Sequence, residues 1–123
     1  RDYRGATDDF ESVVRRPDTD ARRLLPSALH HLANAQRSSG ECAAAVGSYE
    51  RLLAQHASYS GSPEAMMEAA DCYSRMGRVS DARRMLEQAQ SRPSVSTRAR
   101  RELAELGARE RAMDRAPAAE AQE

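Results

Sequence analysis

The chain has 123 residues, and its 19 basic and 19 acidic side chains give a formal net charge of zero. That length allows one domain with a modest core. The balanced charge argues against a nucleic-acid binder, which would carry a basic excess or a basic face. Every basic side chain is Arg, isoleucine and tryptophan are absent, and Phe10 is the lone phenylalanine. A sheet core would have little to pack with, whereas Ala, Arg, Glu, Leu, Met and Gln all favour helix. No apolar run approaches the ~20 residues that span a bilayer, and no signal-peptide pattern is present. The chain opens on Arg1 rather than Met, which reads as a piece of a longer protein and leaves the compartment open.

Turn-forming residues cut the chain into about six helical segments. The first runs from about Asp2 to Arg16, with Tyr3, Ala6, Phe10, Val13 and Val14 on one face. The second ends near Ser38 and carries Leu29, Leu32, Ala33 and Gln36. Asp18 or Asp20 would cap it, but Pro26 is then expected to break or kink it. The third covers about Glu41–His56. The fourth starts at Ser62, read as an N-cap with Pro63 in the favoured first position. The fifth spans Val79–Ser91, and the sixth starts near Ser96 and includes Leu103 and Leu106. Residues 115–123 hold no large apolar side chain and are expected to form a flexible tail behind a repeat domain of residues 1–114.

A shift of 37 residues lays Pro26 on Pro63, Gly40 on Gly77, Ala33 on Ala70, Ala45 on Ala82 and Tyr49 on Leu86. A second such shift takes Met66 to Leu103, Ala69 to Leu106 and Ala70 to Gly107. Backwards, a step of 39 takes Ala45 to Ala6 and Tyr49 to Phe10. The spelling L-x-x-L-A-x-x-Q-x-x-x-G-x-x-x-x-A-x-x-x-Y-x-x-L over Leu29–Leu52, repeated in outline over Met66–Ala89, resembles the tetratricopeptide repeat. That resemblance implies an all-α, right-handed superhelical solenoid of antiparallel helix pairs. Glycine would make the turn within each pair, small residues would sit where the helices come closest, and Tyr49 would fill the gap as it widens. Repeat spacings above the usual 34 or so residues, and proline placement, look like the long-loop repeats of YbgF/CpoB-type bacterial cell-envelope proteins. A regulatory module of a larger signalling or membrane-anchored chain, such as an anti-sigma factor, is the alternative.

The resemblance also implies a non-catalytic scaffold that binds a protein or peptide on the concave face lined by the first helix of each repeat. His30, Asn34, Arg37, Met67, Asp71, Arg75 and Arg101 are expected there, beside Glu64. Some relatives clamp a peptide carboxylate with Lys, Asn and Arg. Asn34 and Arg101 suit that role, but His30, Glu68 and Glu105 do not, so the clamp is expected to be absent. No cofactor or metal is implied: His30 and His31 diverge by about 100° on a helix and cannot share an ion. No glycine-rich phosphate loop or nucleophile–base pair points to an enzyme. Cys42 and Cys72 lack metal-ligand spacing and read as free thiols in helix interfaces. Open helical ends leave self-association possible.

Overall fold

The computed structural model describes residues 19–122, with side chains described from 25 to 115. Five helices follow one another: α1 (Thr19–Ser38), α2 (Cys42–Gln55), α3 (Ser62–Arg75), α4 (Val79–Gln90) and α5 (Ser96–Gln122). Each packs on the next, and α1 also meets α3. This nearest-neighbour pattern is that of a solenoid of helix hairpins. No strand occurs among the described residues. The segment Asp2–Arg16, expected as a first helix, lies outside them.

Two identical turns set the repeat. Gly40 and Gly77 adopt φ of 81° and 76°, the only positive values among the described residues. At the first turn, Gly40 N–H donates to the Arg37 carbonyl and Glu41 N–H to that of Gln36, at 3.1 and 2.8 Å. At the second, Gly77 donates to Ser74 and Arg78 to Tyr73, at 3.1 and 2.9 Å. Each is a Schellman ending that satisfies orphan carbonyls and turns the chain back, and a residue without Cβ meets the left-handed backbone at no steric cost.

The core follows the repeat. Ala33, Ala45 and Ala82 are fully buried and Ala70 nearly so, with Tyr49 (0% exposed) and Leu86 (2%) in the equivalent large position. Leu29, Leu52, Met85, Val95 and Ala99 join the same cluster. A run of alanine lets paired helices approach, and one large side chain closes the space where they splay.

Two local expectations change. Helix α1 continues through Pro26. The missing N–H costs a hydrogen bond, but Leu29, Leu32, Ala33 and Gln36 are buried just beyond it and tie that stretch to the core. Ser62 does not cap α3: Gly61 occupies the cap position. The Ser62 hydroxyl is buried and turns back to the carbonyls of Ala57 and His56, at 3.3 and 3.4 Å. A Cβ at Gly61 would stand 2.5 Å from the tip of the Tyr59 ring, so a larger residue there would have to push that ring aside. Helix α5 extends to Gln122.

The cysteines are not free thiols. Cys42, the first residue of α2, is joined by a disulfide to Cys72 of α3, with Cα atoms 5.1 Å apart and a separation of 30 in sequence. Both are buried, at 8% and 0% exposed. Read singly, each is a small apolar residue at a helix interface; the packing of α2 on α3 brings the two to the same interface. The bond therefore staples the second helix of one repeat to the first helix of the next.

Two outcomes follow for stability. Ala45→Leu or Ala82→Leu forces a helix pair apart and should cost about 1–3 kcal/mol in urea denaturation. Removing the 30-residue cross-link, by reduction or by the Cys42→Ala/Cys72→Ala double change, should cost about 2–4 kcal/mol through the freed unfolded chain. Equal denaturation midpoints with and without reductant would show that the bond adds nothing to stability.

Candidate peptide-binding groove

The first helices of three successive hairpins, α1, α3 and α5, together line an open groove of about 410 Å³. Its walls are Arg37 from α1, Glu64, Met67, Glu68 and Asp71 from α3, and Arg98 and Glu102 from α5. Met67, 4% exposed, gives it an apolar floor.

Ion pairs hold the walls in register. Arg37 reaches Asp71 at 3.4 Å and Glu68 at 3.9 Å, tying α1 to α3. Arg98 reaches Glu64 at 3.2 Å, tying α5 to α3. On the second helices Glu50 of α2 accepts from Arg84 of α4 at 2.5 Å. Each of the pairs Arg37–Asp71, Glu64–Arg98 and Glu50–Arg84 is separated by 34 residues. That is one helical turn short of the 37-residue repeat, so each rung leans back by a turn.

Behind the groove lies a half-buried polar layer. The Tyr49 hydroxyl donates to Asn34 Oδ1 and accepts from Arg37 Nε at 3.1 Å. His30 places Nε2 2.6 Å from Glu68 Oε1 and Nδ1 3.1 Å from the Tyr59 hydroxyl. Burial raises the Tyr49 phenol to about 12, against the opposing pull of Arg37. Burial and the Glu50 hydrogen bond raise Tyr73 to about 12 as well. Burial alone would raise the Glu50 carboxyl, but hydrogen bonds from Arg84 and Tyr73 outweigh it and hold it below the usual range.

The sequence-predicted residues thus divide. Arg37, Met67 and Asp71 line the groove, and Arg75 stands at its edge, 2.9 Å from Asp71. His30 and Asn34 stand one layer back, as positioning residues for Glu68 and Tyr49. Arg101 is exposed and is not among the lining residues. Sequence reasoning passed over Arg98 and Glu102, and met Glu68 only as an obstacle to a carboxylate clamp. Opposite charges 34 residues apart were the available signal for Arg98. The lining holds four carboxylates against two guanidinium groups. Glu102 makes no hydrogen bond or ion pair among the described residues; burial raises its carboxyl against the opposing pull of Arg98, with the Glu105 charge adding to the rise. Among those residues no group of three or more His, Cys, Asp or Glu could hold a metal ion. No helix there is long and apolar enough to cross a membrane.

Tyrosines whose folded pKa is raised stabilise the fold fully below their unfolded value of about 10. That contribution is lost as pH climbs toward about 12. Stability should therefore fall across that window, and Tyr49→Phe should remove part of the fall. Urea midpoints that stay level through it would contradict the buried-phenol account.

Two family models, both described as the tetratricopeptide repeat, match the chain, one over residues 36–93 and the other over 73–123. No curated protein and no solved structure matches it. The first match takes in the end of α1, all of α2, α3 and α4; the second runs from the end of α3 through α5. With both glycine turns and the whole of α2, α3, α4 and α5 inside the matched span, the chain belongs to the tetratricopeptide-repeat family.

Proposed function

We propose that this chain is a non-catalytic interaction module whose concave groove takes a peptide or protein segment bearing basic side chains. Tetratricopeptide repeats generally serve as protein–protein interaction modules. The observation that carries the finer reading is the half-buried carboxylate of Glu102, which makes no hydrogen bond or ion pair among the described residues, in a groove with two more acidic than basic lining groups. Arg37 and Arg98 make ion pairs with Asp71, Glu68 and Glu64, whereas Glu102 has only the through-space pull of Arg98 and Arg101 to offset its charge. A guanidinium or ammonium from a ligand would meet Glu102 in a partly desolvated site, where such a contact is worth more than on open surface. The extended groove across three helices suits a chain laid along it.

A place in the bacterial cell envelope, as an adaptor of the YbgF/CpoB type, fits this reading. The disulfide supports it, because such bonds persist in oxidising compartments. The long loops between repeats support it as well.

Fluorescence polarisation against an array of labelled peptides of varied charge tests the groove. Basic peptides should bind, with affinity falling as salt rises. Glu102→Gln and Glu64→Gln should weaken binding about tenfold, or ~1.4 kcal/mol. Arg51→Ala, on an exposed position of α2, should leave binding unchanged. Arg37→Ala should lower both binding and stability, because Arg37 also holds Tyr49. Equal affinity for acidic and basic peptides, or no effect of Glu102→Gln, would reject the reading.

A further inference from the structure

The chain supplies its own comparison at the places where a hairpin meets the first helix of the next repeat. Where α1 and α2 meet α3, Arg37 fills the junction. Its Nε donates to the Tyr49 hydroxyl at 3.1 Å, and its terminal nitrogens stand 3.4 Å from Asp71 and 3.9 Å from Glu68. The junction of α3 and α4 with α5 uses the residues one 37-residue repeat further on. There Arg37 becomes Ser74, Tyr49 becomes Leu86 and Glu68 becomes Glu105. Asp71 becomes Ala108, but Glu102 stands where the first junction has Ala65. The second junction therefore keeps two carboxylates and loses the arginine that pairs with them in the first.

Space is left in its place. Ser74, Leu86, Glu102, Glu105, Leu106 and Arg109 line a cavity of about 40 Å³, room for about three waters. Leu86 and Leu106 are buried and form an apolar wall, which suits the methylene stem of a long basic side chain. Glu105 and Arg109, like Glu102, make no hydrogen bond or ion pair among the described residues. Burial raises the Glu102 carboxyl, and the charges of Glu105 and Asp71 add to the rise, against the pull of Arg98 and Arg101. Glu102 also lines the open groove, so the cavity and the groove share a wall.

We infer that this cavity is a side-chain subsite of the groove, and that it takes the guanidinium of an arginine from the bound peptide where Arg37 serves one repeat earlier. The inference rests on the groove taking a basic chain and names the side chain that is selected. A planar guanidinium fork can engage Glu102 and Glu105 together, as Arg37 engages Asp71 and Glu68. An ammonium is a compact, strongly hydrated point charge and matches two carboxylates less well. Ser74 and Glu105 line the cavity but not the groove, so they separate the two sites experimentally.

Fluorescence polarisation of the intact chain with labelled octa-arginine and octalysine tests the subsite. Octa-arginine should bind about tenfold tighter than octalysine, or more. Ser74→Leu fills the cavity without changing the charge. It should bring octa-arginine down to the octalysine level and leave octalysine within about twofold of its wild-type affinity. Glu105→Gln should also shrink the preference, by weakening octa-arginine more than octalysine. Equal binding of the two peptides by the wild-type chain would overturn the subsite and leave the groove reading standing. So would a preference that survives Ser74→Leu. Binding of neither peptide would overturn both. Should Ser74→Leu lose its helical circular dichroism, Glu105→Gln decides alone, and an undiminished preference in that variant would overturn the subsite.

Discussion

Close approach of paired helices is the constraint on which the rest of this structure depends. Ala33, Ala45, Ala70 and Ala82 are buried almost completely. Side chains this small let two helical backbones come near enough for Tyr49 or Leu86 to seal the remaining wedge. That packing fixes the angle of each hairpin, and the angle fixes where the next first helix lies. The groove is thus a by-product of alanine placement one layer behind it. Its charged walls decorate a geometry that they did not create, although they lock it by pairing across the 34-residue interval.

The polar layer links this packing to the site. Tyr49 contributes its ring to the hairpin and its hydroxyl to Asn34 and Arg37. Arg37 in turn faces the groove and pairs with Asp71 and Glu68. Burial takes protons away from the Arg37 guanidinium, but hydrogen bonding to Tyr49 and the nearby acidic charges outweigh it and hold the group more firmly charged than usual. One residue of the core and one of the surface are therefore set together, and neither can change without disturbing the other.

Much of this was legible in the sequence, for reasons that differ by residue. The glycines at 40 and 77 announce turns because only they take a left-handed backbone without strain. The alanines announce interfaces because their spacing repeats. What escaped depends on which helices meet. Cys42 and Cys72 look inert until α2 and α3 are laid side by side. Ser62 followed by Pro63 imitates a cap, but the helix starts one residue earlier, with Gly61 at the cap, and the Ser62 hydroxyl bonds the loop instead. Arg101 was placed in the groove by helical spacing. Arg98, nearly one turn earlier, is the residue that lines it, because the rungs between neighbouring first helices lean backward.

The disulfide has a further consequence for how such a row of helices comes apart. In a solenoid, disorder spreads from neighbour to neighbour, since no contact spans the whole length. The bond between Cys42 and Cys72 closes residues 42–72 into a covalent ring. Melting that starts at α5 can pass through α4 unhindered, but at α3 it meets a bulkhead. A load applied along the chain would likewise bypass residues 43–71, which hold nearly all of α2 and most of α3, and run straight across the sulfur bridge. The α2–α3 ring is thereby the mechanically inextensible part of the described residues, and the helices outside it, α1, α4 and α5, are the part that gives.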